Sequence, residues 1–285
     1  MPNRFRQIRR RFIDYFATFV AASLSTVVVG ALVAIFAYLV IKGGGSVNWD
    51  FLTKTPKPVG ELGGGMANAL VGSIMILGIA SLIGIPFGIG TGIYLAEYGH
   101  NRFGALVRFT ADVLNGVPSI VIGLVAFALV VHRQGHFSAF SGGVALAIMM
   151  VPTVARTTEQ MLLLVPQAVR EAAFGLGIPQ WRTTISITLA TARAGIITGV
   201  MLAFARVAGE TAPLLFTALG NQFWSFSPNQ PIAALPLQIY TYALSPYDDW
   251  HRQAWAGALV LVTLIVGTVA LVRFLLGRSV LKEAS

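Results

Sequence analysis

Six apolar stretches, each long enough to cross a bilayer, leave this 285-residue chain no way to fold as a water-facing globule. A helical span needs about 20 predominantly apolar residues, and such stretches lie near 17–41, 67–95, 112–131, 142–163, 194–219 and 254–276. The third is the least regular, because Asn115, Pro118 and two glycines interrupt it. Breaks of that kind are tolerated where neighbouring helices or water satisfy the freed backbone. Charged residues make up only 11% of the chain, against about 25% in a soluble domain. The pattern predicts an all-α membrane protein with six transmembrane helices. The first stretch follows Arg4, Arg6, Arg9, Arg10 and Arg11, as in a signal peptide. It is longer than the roughly 7–15 residues of a signal-peptide apolar region, so it reads as a retained span.

The net charge of +9 acquires meaning from where the charges lie. Thirteen Lys and Arg fall in the N-terminal tail, the 96–111 and 164–193 loops and the C-terminal end, against five in 42–66, 132–141 and 220–253. The positive-inside rule then predicts that both termini are cytoplasmic. No basic face with interleaved aromatics lies outside the spans, so nucleic-acid binding is not expected. The 220–253 loop, with Trp224, Trp250 and four prolines, is too long for a plain turn. It is expected to be structured and to cover the external mouth.

The chemistry that the chain lacks is informative too. Cysteine is absent, which excludes disulfides and thiol catalysis. None of Lys42, Lys54, Lys57 and Lys282 follows the glycine spacing of a phosphate-cradling loop, and the Gly43–Gly45 and Gly63–Gly65 triplets read as flexible connections. His100, His132, His136 and His251 are scattered. His132 and His136 share a helical spacing but have no third ligand nearby, so no metal site is expected. No G-x-S-x-G elbow occurs. The glycines from Gly84 to Gly92 make small-xxx-small steps that let helices approach closely.

Two oppositely charged pairs fall inside the spans. Arg156 and Glu159 stand at i,i+3 in the fourth stretch, and Arg206 and Glu210 at i,i+4 in the fifth. Both spacings put a pair on one helix face. A charge at the centre of a span costs about 2.5–3.5 kcal/mol. Mutual neutralisation for packing is one reason to carry that cost; a polar pathway is the favoured reading. Arginine keeps its proton and offers a planar fork of donors that suits oxyanions. Each glutamate would hold its guanidinium while the site is empty.

The 164–193 loop predicts two short helices. One starts at Gln167 after Pro166 and ends at a left-handed Gly177; the other follows from Pro179. Within the loop come Glu171-Ala172-Ala173, then Gly177 after three residues, then Ile187-Thr188-Leu189 after nine more. This spacing resembles the EAA loop of type I ABC-importer permeases. That family usually has Pro after the leucine, where this chain has Ala190. The stretches Gly116–Val121, Pro152–Glu159 and Gly209–Ala218, together with Arg206, resemble the PstA-type permeases of bacterial phosphate importers. The likeness covers roughly residues 65–277.

The resemblance implies a type I importer permease fold over 67–277, with the coupling loop at 165–192. A basic tail, one span and an external loop would occupy 1–66. Glu171, Ala172, Ala173 and Gly177 would dock an ATPase, and Arg206, Glu210, Arg156 and Glu159 would line the substrate pathway. The implied cargo is inorganic phosphate, moved across the bacterial cytoplasmic (inner) membrane. The implied partners are a related second permease (PstC-like), a pair of ATPase subunits (PstB-like) and a phosphate-binding protein (PstS-like), towards which the 220–253 loop would face. The chain itself would hold no cofactor; ATP and Mg would sit on the partner ATPase. The rival readings are a permease for another oxyanion, an ion-coupled secondary transporter and a purely structural membrane subunit. The secondary transporter would work as a single chain without a docking loop.

Overall fold

The computed structural model describes residues 4–61 and 63–283; the first three residues of the basic tail lie outside the described residues. The described chain is helical, with isolated bridges at Pro56–Gly64 and Leu219–Ile232. Helix α1 (Arg4–Gly43) is followed by the short α2 (Trp49–Thr53) and by α3 (Ala67–Glu97). Next come α4 (Arg102–Gly116), α5 (Ser119–Ala126), a π-helical turn over Phe127–Val131, α6 (His132–Gln134) and α7 (Ala139–Leu163). After α8 (Gln167–Gly175), α9 (Gln180–Thr183) runs through a π-helical turn, Thr184–Thr188, into α10 (Leu189–Ala208). The chain closes with α11 (Ala212–Leu215), α12 (Leu235–Ala243) and α13 (Asp248–Glu283).

Local sequence explains most of these boundaries. Asn48 and Asn101 cap α2 and α4 by accepting from the backbone N–H groups of Phe51 and Gly104, and Ser138 and Ser141 form a reciprocal capping box on α7. Proline stands immediately before α5, α8 and α9.

Helix α7 is the axis of the bundle. Two thirds of its apolar stretch is buried (67%), against 6% for α1 and 0% for α13. Residues 84, 88 and 92 of α3 are glycines because α7 presses on them. A Cβ at Gly84, Gly88 or Gly92 would lie within 2.9, 2.6 or 2.5 Å of Met150, Val154 or Thr158. The constant offset shows that α3 and α7 run parallel, in close backbone contact. On another face, Gly195 and Gly199 of α10 meet Met161 and Thr157, so α10 runs antiparallel to α7. Helices α1 and α13 pack on one another at the periphery, where Tyr38 and Trp255 meet edge to face with ring centroids 5.3 Å apart. Their remaining surfaces carry exposed Phe, Leu, Ile and Val, the composition of a lipid-facing helix.

Five single helices are long and apolar enough to cross a membrane, and counting the bent pair 102–134 as one crossing gives six. The structure departs from the sequence expectation in three places. The third stretch is not one helix: α4 and α5 meet at 108° across Val117-Pro118. Proline disfavours helical backbone in the residue before it, and Val117 is extended. The fifth stretch ends at Ala208, well short of residue 219. The second short helix of the 164–193 loop does not stand apart, since residues 180–208 form one continuous helix.

Candidate translocation site

The bend of the third stretch and the end of α10 fall level with the same part of α7. Along α4, Arg108 pairs with Glu159, Asp112 with Arg156, and Asn115 with Thr153, so α4 runs antiparallel to α7. Carrying that register on places the Val117-Pro118 break about level with the middle of α7. The same extrapolation from Gly199 opposite Thr157 puts Arg206, in the last turn of α10, about level with Met150. Just beyond the breaks the segments touch: a Cβ on Gly123 of α5 would lie 2.8 Å from Pro213 of α11. Backbone that leaves the helix at mid-membrane depth is tolerated only inside protein or beside water.

Arg206 is exposed at this level and, among the described residues, has neither a hydrogen bond nor an ion pair. The same-face pairing with Glu210 expected from the i,i+4 spacing does not form. Helix α10 has already ended, and the Glu210 N–H turns back to the Val207 carbonyl at 3.2 Å. Glu210 is half-buried beyond the break.

The other pair is brought together, within a larger cluster. Arg156 donates from Nη1 to Glu159 Oε2 at 2.6 Å, and its Nε lies 2.9 Å from Asp112 Oδ1. Glu159 receives Arg108 Nε on its second oxygen at 2.5 Å, and Arg108 also donates to the carbonyls of Gly99 and Leu95. Two arginines and two carboxylates thus neutralise each other where α4 crosses α7, with Glu159 only 2% exposed. Arg156 has both edges engaged by carboxylates, so its place differs from that of Arg206. Arg108 and Asp112 were not singled out from sequence. Their four-residue spacing was the available signal, but which helix they face is not written in that spacing.

Helix α8 carries the EAA residues. It starts after Pro166, and Gly177 has φ 76°, the left-handed conformation that ends a helix at low cost. Glu171 and Ala172 are exposed, whereas Ala173 is buried against the bundle. Around them Phe174, Leu176 and Trp181 stand exposed. At the opposite end of α7, residues 217–230 form a pinned flap. The N–H groups of Ser138, Ala139 and Phe140 donate to the carbonyls of Thr217, Gln230 and Pro228. Asn68 donates to the Asn221 carbonyl at 2.7 Å. The flap presents Phe223, Trp224 and Phe226 outward, the last two stacked at 5.5 Å.

Among the described residues no cluster of His, Asp and Glu could hold a metal ion.

A helical bundle with a bent crossing, an exposed helical knob at one end and a pinned flap at the other fits one class: the membrane component of an ABC importer. Residues 88–280 match the family model described as "Binding-protein-dependent transport system inner membrane component". The fold agrees with a chain of the MetNI methionine ABC transporter in an inward-facing conformation, at a TM-score of 0.59 and 17% identity over 77% of this chain and 97% of that one. The chain belongs to this family and, within it, to the PstA permeases. The phosphate transport system permease protein PstA of Haemophilus influenzae is 51% identical over 230 residues, 80% of each chain. That of Yersinia pestis is 49% identical over 247 residues, covering 86% of this chain and 83% of its own. PstA 1 of Mycobacterium tuberculosis H37Rv is 40% identical over 228 residues, covering 76% and 72%. These relatives are permease subunits, and this chain is a multi-pass membrane protein.

Proposed function

We propose that this chain is one permease subunit of an ATP-driven importer of inorganic phosphate in a bacterial cytoplasmic membrane. The observation that carries the cargo is the half-identity to phosphate permeases over four fifths of the chain. The observation that carries the mechanism is the unpartnered Arg206 at a mid-depth helix break. Phosphate brings roughly one to two negative charges into a membrane whose potential opposes it by about 2.3 kcal/mol per charge per 100 mV. A free guanidinium offers the anion paired donors at the deepest point of the path. Contact there is transient, because conduction requires binding weak enough for release. Glu210, past the break, flanks the path. Arg156 and Glu159 hold α4 to α7 and, in this reading, shape the wall.

None of the lysines follows the glycine spacing of a phosphate-cradling loop, and in this reading the work comes from partners. Glu171, Ala172, Ala173 and Gly177 present α8 to an ATPase pair that holds ATP and Mg. A second, related permease completes the cavity, and a phosphate-binding protein docks on the flap end. Both termini then lie in the cytoplasm, an orientation that the distribution of Lys and Arg supports. Residues 67–277 form the transport domain, and the preceding tail, span and loop form a peripheral arm.

The test is uptake of labelled phosphate into vesicles holding the complete set of subunits. Uptake should require ATP on the α8 side, and arsenate should compete where sulfate does not. Uptake driven by an ion gradient without ATP, or equal competition by sulfate, would overturn the reading.

A further inference from the structure

The coupling helix is tied to the bundle by a buried ion pair that the transport reading leaves unused. Arg170, one residue before the EAA sequence, pairs through Nη1 with Glu97 at the end of α3. Its Nη2 donates to the Leu162 carbonyl at the end of α7, at 2.8 Å. The Glu97 side chain is only 6% exposed and that of Arg170 17%. Around the pair lies a cavity of about 300 Å³, lined by both residues together with His100, Gln167, Phe174 and Gln180. This corner of α8 is therefore spanned by a charged strut across a gap, not filled by close packing. The strut ends on the two helices that the Gly84, Gly88 and Gly92 contacts lock into one parallel pair.

The other side of the same knob leads elsewhere. From Pro179 the chain passes through α9 and the π-helical turn into α10, whose far end carries Arg206. Within that turn region the buried hydroxyls of Thr183 and Thr188 have no hydrogen-bond partner. A π-helical turn interrupts the regular i→i−4 hydrogen-bond ladder and is one of the recognised places where a helix bends.

We propose that the Arg170–Glu97 pair is the positioning link that transmits movement of α8 to the rigid α3–α7 pair, while the π-helical turn lets α10 respond separately. Displacement of α8 then shifts α3 and α7 against α10, and so changes the surroundings of Arg206 at the end of α10. The proposal rests on the assignment of α8 as the ATPase contact. Arginine is suited to the task because its fork reaches a carboxylate and a carbonyl at once, which a lysine ammonium on one stem does not reproduce with fixed geometry.

The test uses the complete transporter in vesicles, with ATP hydrolysis and phosphate uptake measured on the same sample. The first variant is Glu97→Gln/Arg170→Gln, which removes the pair without leaving a lone buried charge and so spares the fold. It should keep its ATPase subunits on purification and hydrolyse ATP, while phosphate moved per ATP falls at least about fivefold, the scale of a modest coupling energy. Because the chain contains no cysteine, Glu97→Cys/Arg170→Cys can be bridged with a short bifunctional thiol reagent. Bridging should raise uptake per ATP in that variant, with hydrolysis little changed. An unchanged ratio of uptake to hydrolysis in the double glutamine variant, or loss of its ATPase subunits, overturns the proposal. So does a bridged variant that stays uncoupled. If wild-type vesicles show no ATP-dependent uptake, the transport reading itself fails before the variants are compared.

Discussion

At the scale of single residues, Arg108, Arg156, Arg170 and Arg206 divide by their partners. Arg108 and Arg156 share Glu159 and Asp112, and Arg170 is held by Glu97, whereas Arg206 stands exposed and, among the described residues, unpaired. Removing one partner from a buried pair leaves an uncompensated charge and costs about 3–5 kcal/mol. Glu159→Gln should therefore lower the thermal stability of the purified complex sharply, while Asp112→Asn, at a side chain 56% exposed, should lower it much less. Equal melting temperatures for the two variants would contradict this division. Arg206 is expected to behave in the opposite way, stable but inactive when changed. Arg206→Gln should assemble and melt like wild type yet nearly abolish phosphate uptake. Arg206→Lys should retain part of it, because the charge survives and the planar fork does not. Normal uptake by an assembled Arg206→Gln complex would remove Arg206 from the path. Sequence spacing found Arg156 with Glu159, because i,i+3 neighbours on a continuous helix must share a face. It failed for Arg206 with Glu210, because that inference holds only while the helix lasts.

At the scale of elements, glycine placement decides the packing. The α3–α7 contact depends on Gly84, Gly88 and Gly92 recurring every fourth residue, one face of a helix. Gly92→Val would force methyl groups into Thr158 and the Ala155 carbonyl, with no flexible side chain to yield. Overpacking of this kind costs typically about 1–3 kcal/mol. The expected outcome is a lowered melting temperature of the purified complex and, since α3 carries Glu97, less phosphate moved per ATP hydrolysed. Gly78, with open space where its Cβ would lie, should accept Val with little change. The end of α10 was partly legible. Gly209 and Pro213 are both stop or restart signals, and Pro213 does stand in the first turn of α11. Their message is hidden by Ala212, Leu214, Leu215, Phe216 and Ala218, which continue the apolar run. Hydropathy measures burial, and here the burial is against α5 and α7 rather than within a continuing span.

At the scale of the whole molecule, the two ends of α7 are specialised differently. One end carries α8, and the other is closed by the flap, whose carbonyls receive the first N–H groups of α7. Anchoring at Thr217, Pro228 and Gln230 leaves the tip at 222–226 free of this role, with Phe223, Trp224 and Phe226 exposed. Deleting 222–226 should leave assembly and basal ATP hydrolysis intact while weakening the stimulation of hydrolysis by the phosphate-binding protein. Full stimulation of a correctly assembled deletion would mean that the flap is only a lid.

The amino-acid sequence by itself determined the membrane class, most of the apolar spans and the limits of α8. Each of these depends on chain-local quantities: the length of an apolar run against the bilayer thickness, and the backbone limits of Pro166 and Gly177. Only the tertiary structure decided that the bend at Val117-Pro118 and the end of α10 lie at one level, that Arg108 reaches Glu159 across 51 positions, and that Arg206 has no partner among the described residues. The physical reason is that a charge in a low-dielectric bundle takes whichever opposite charge the packing of helices places beside it, and that packing is set by contacts far apart in the chain.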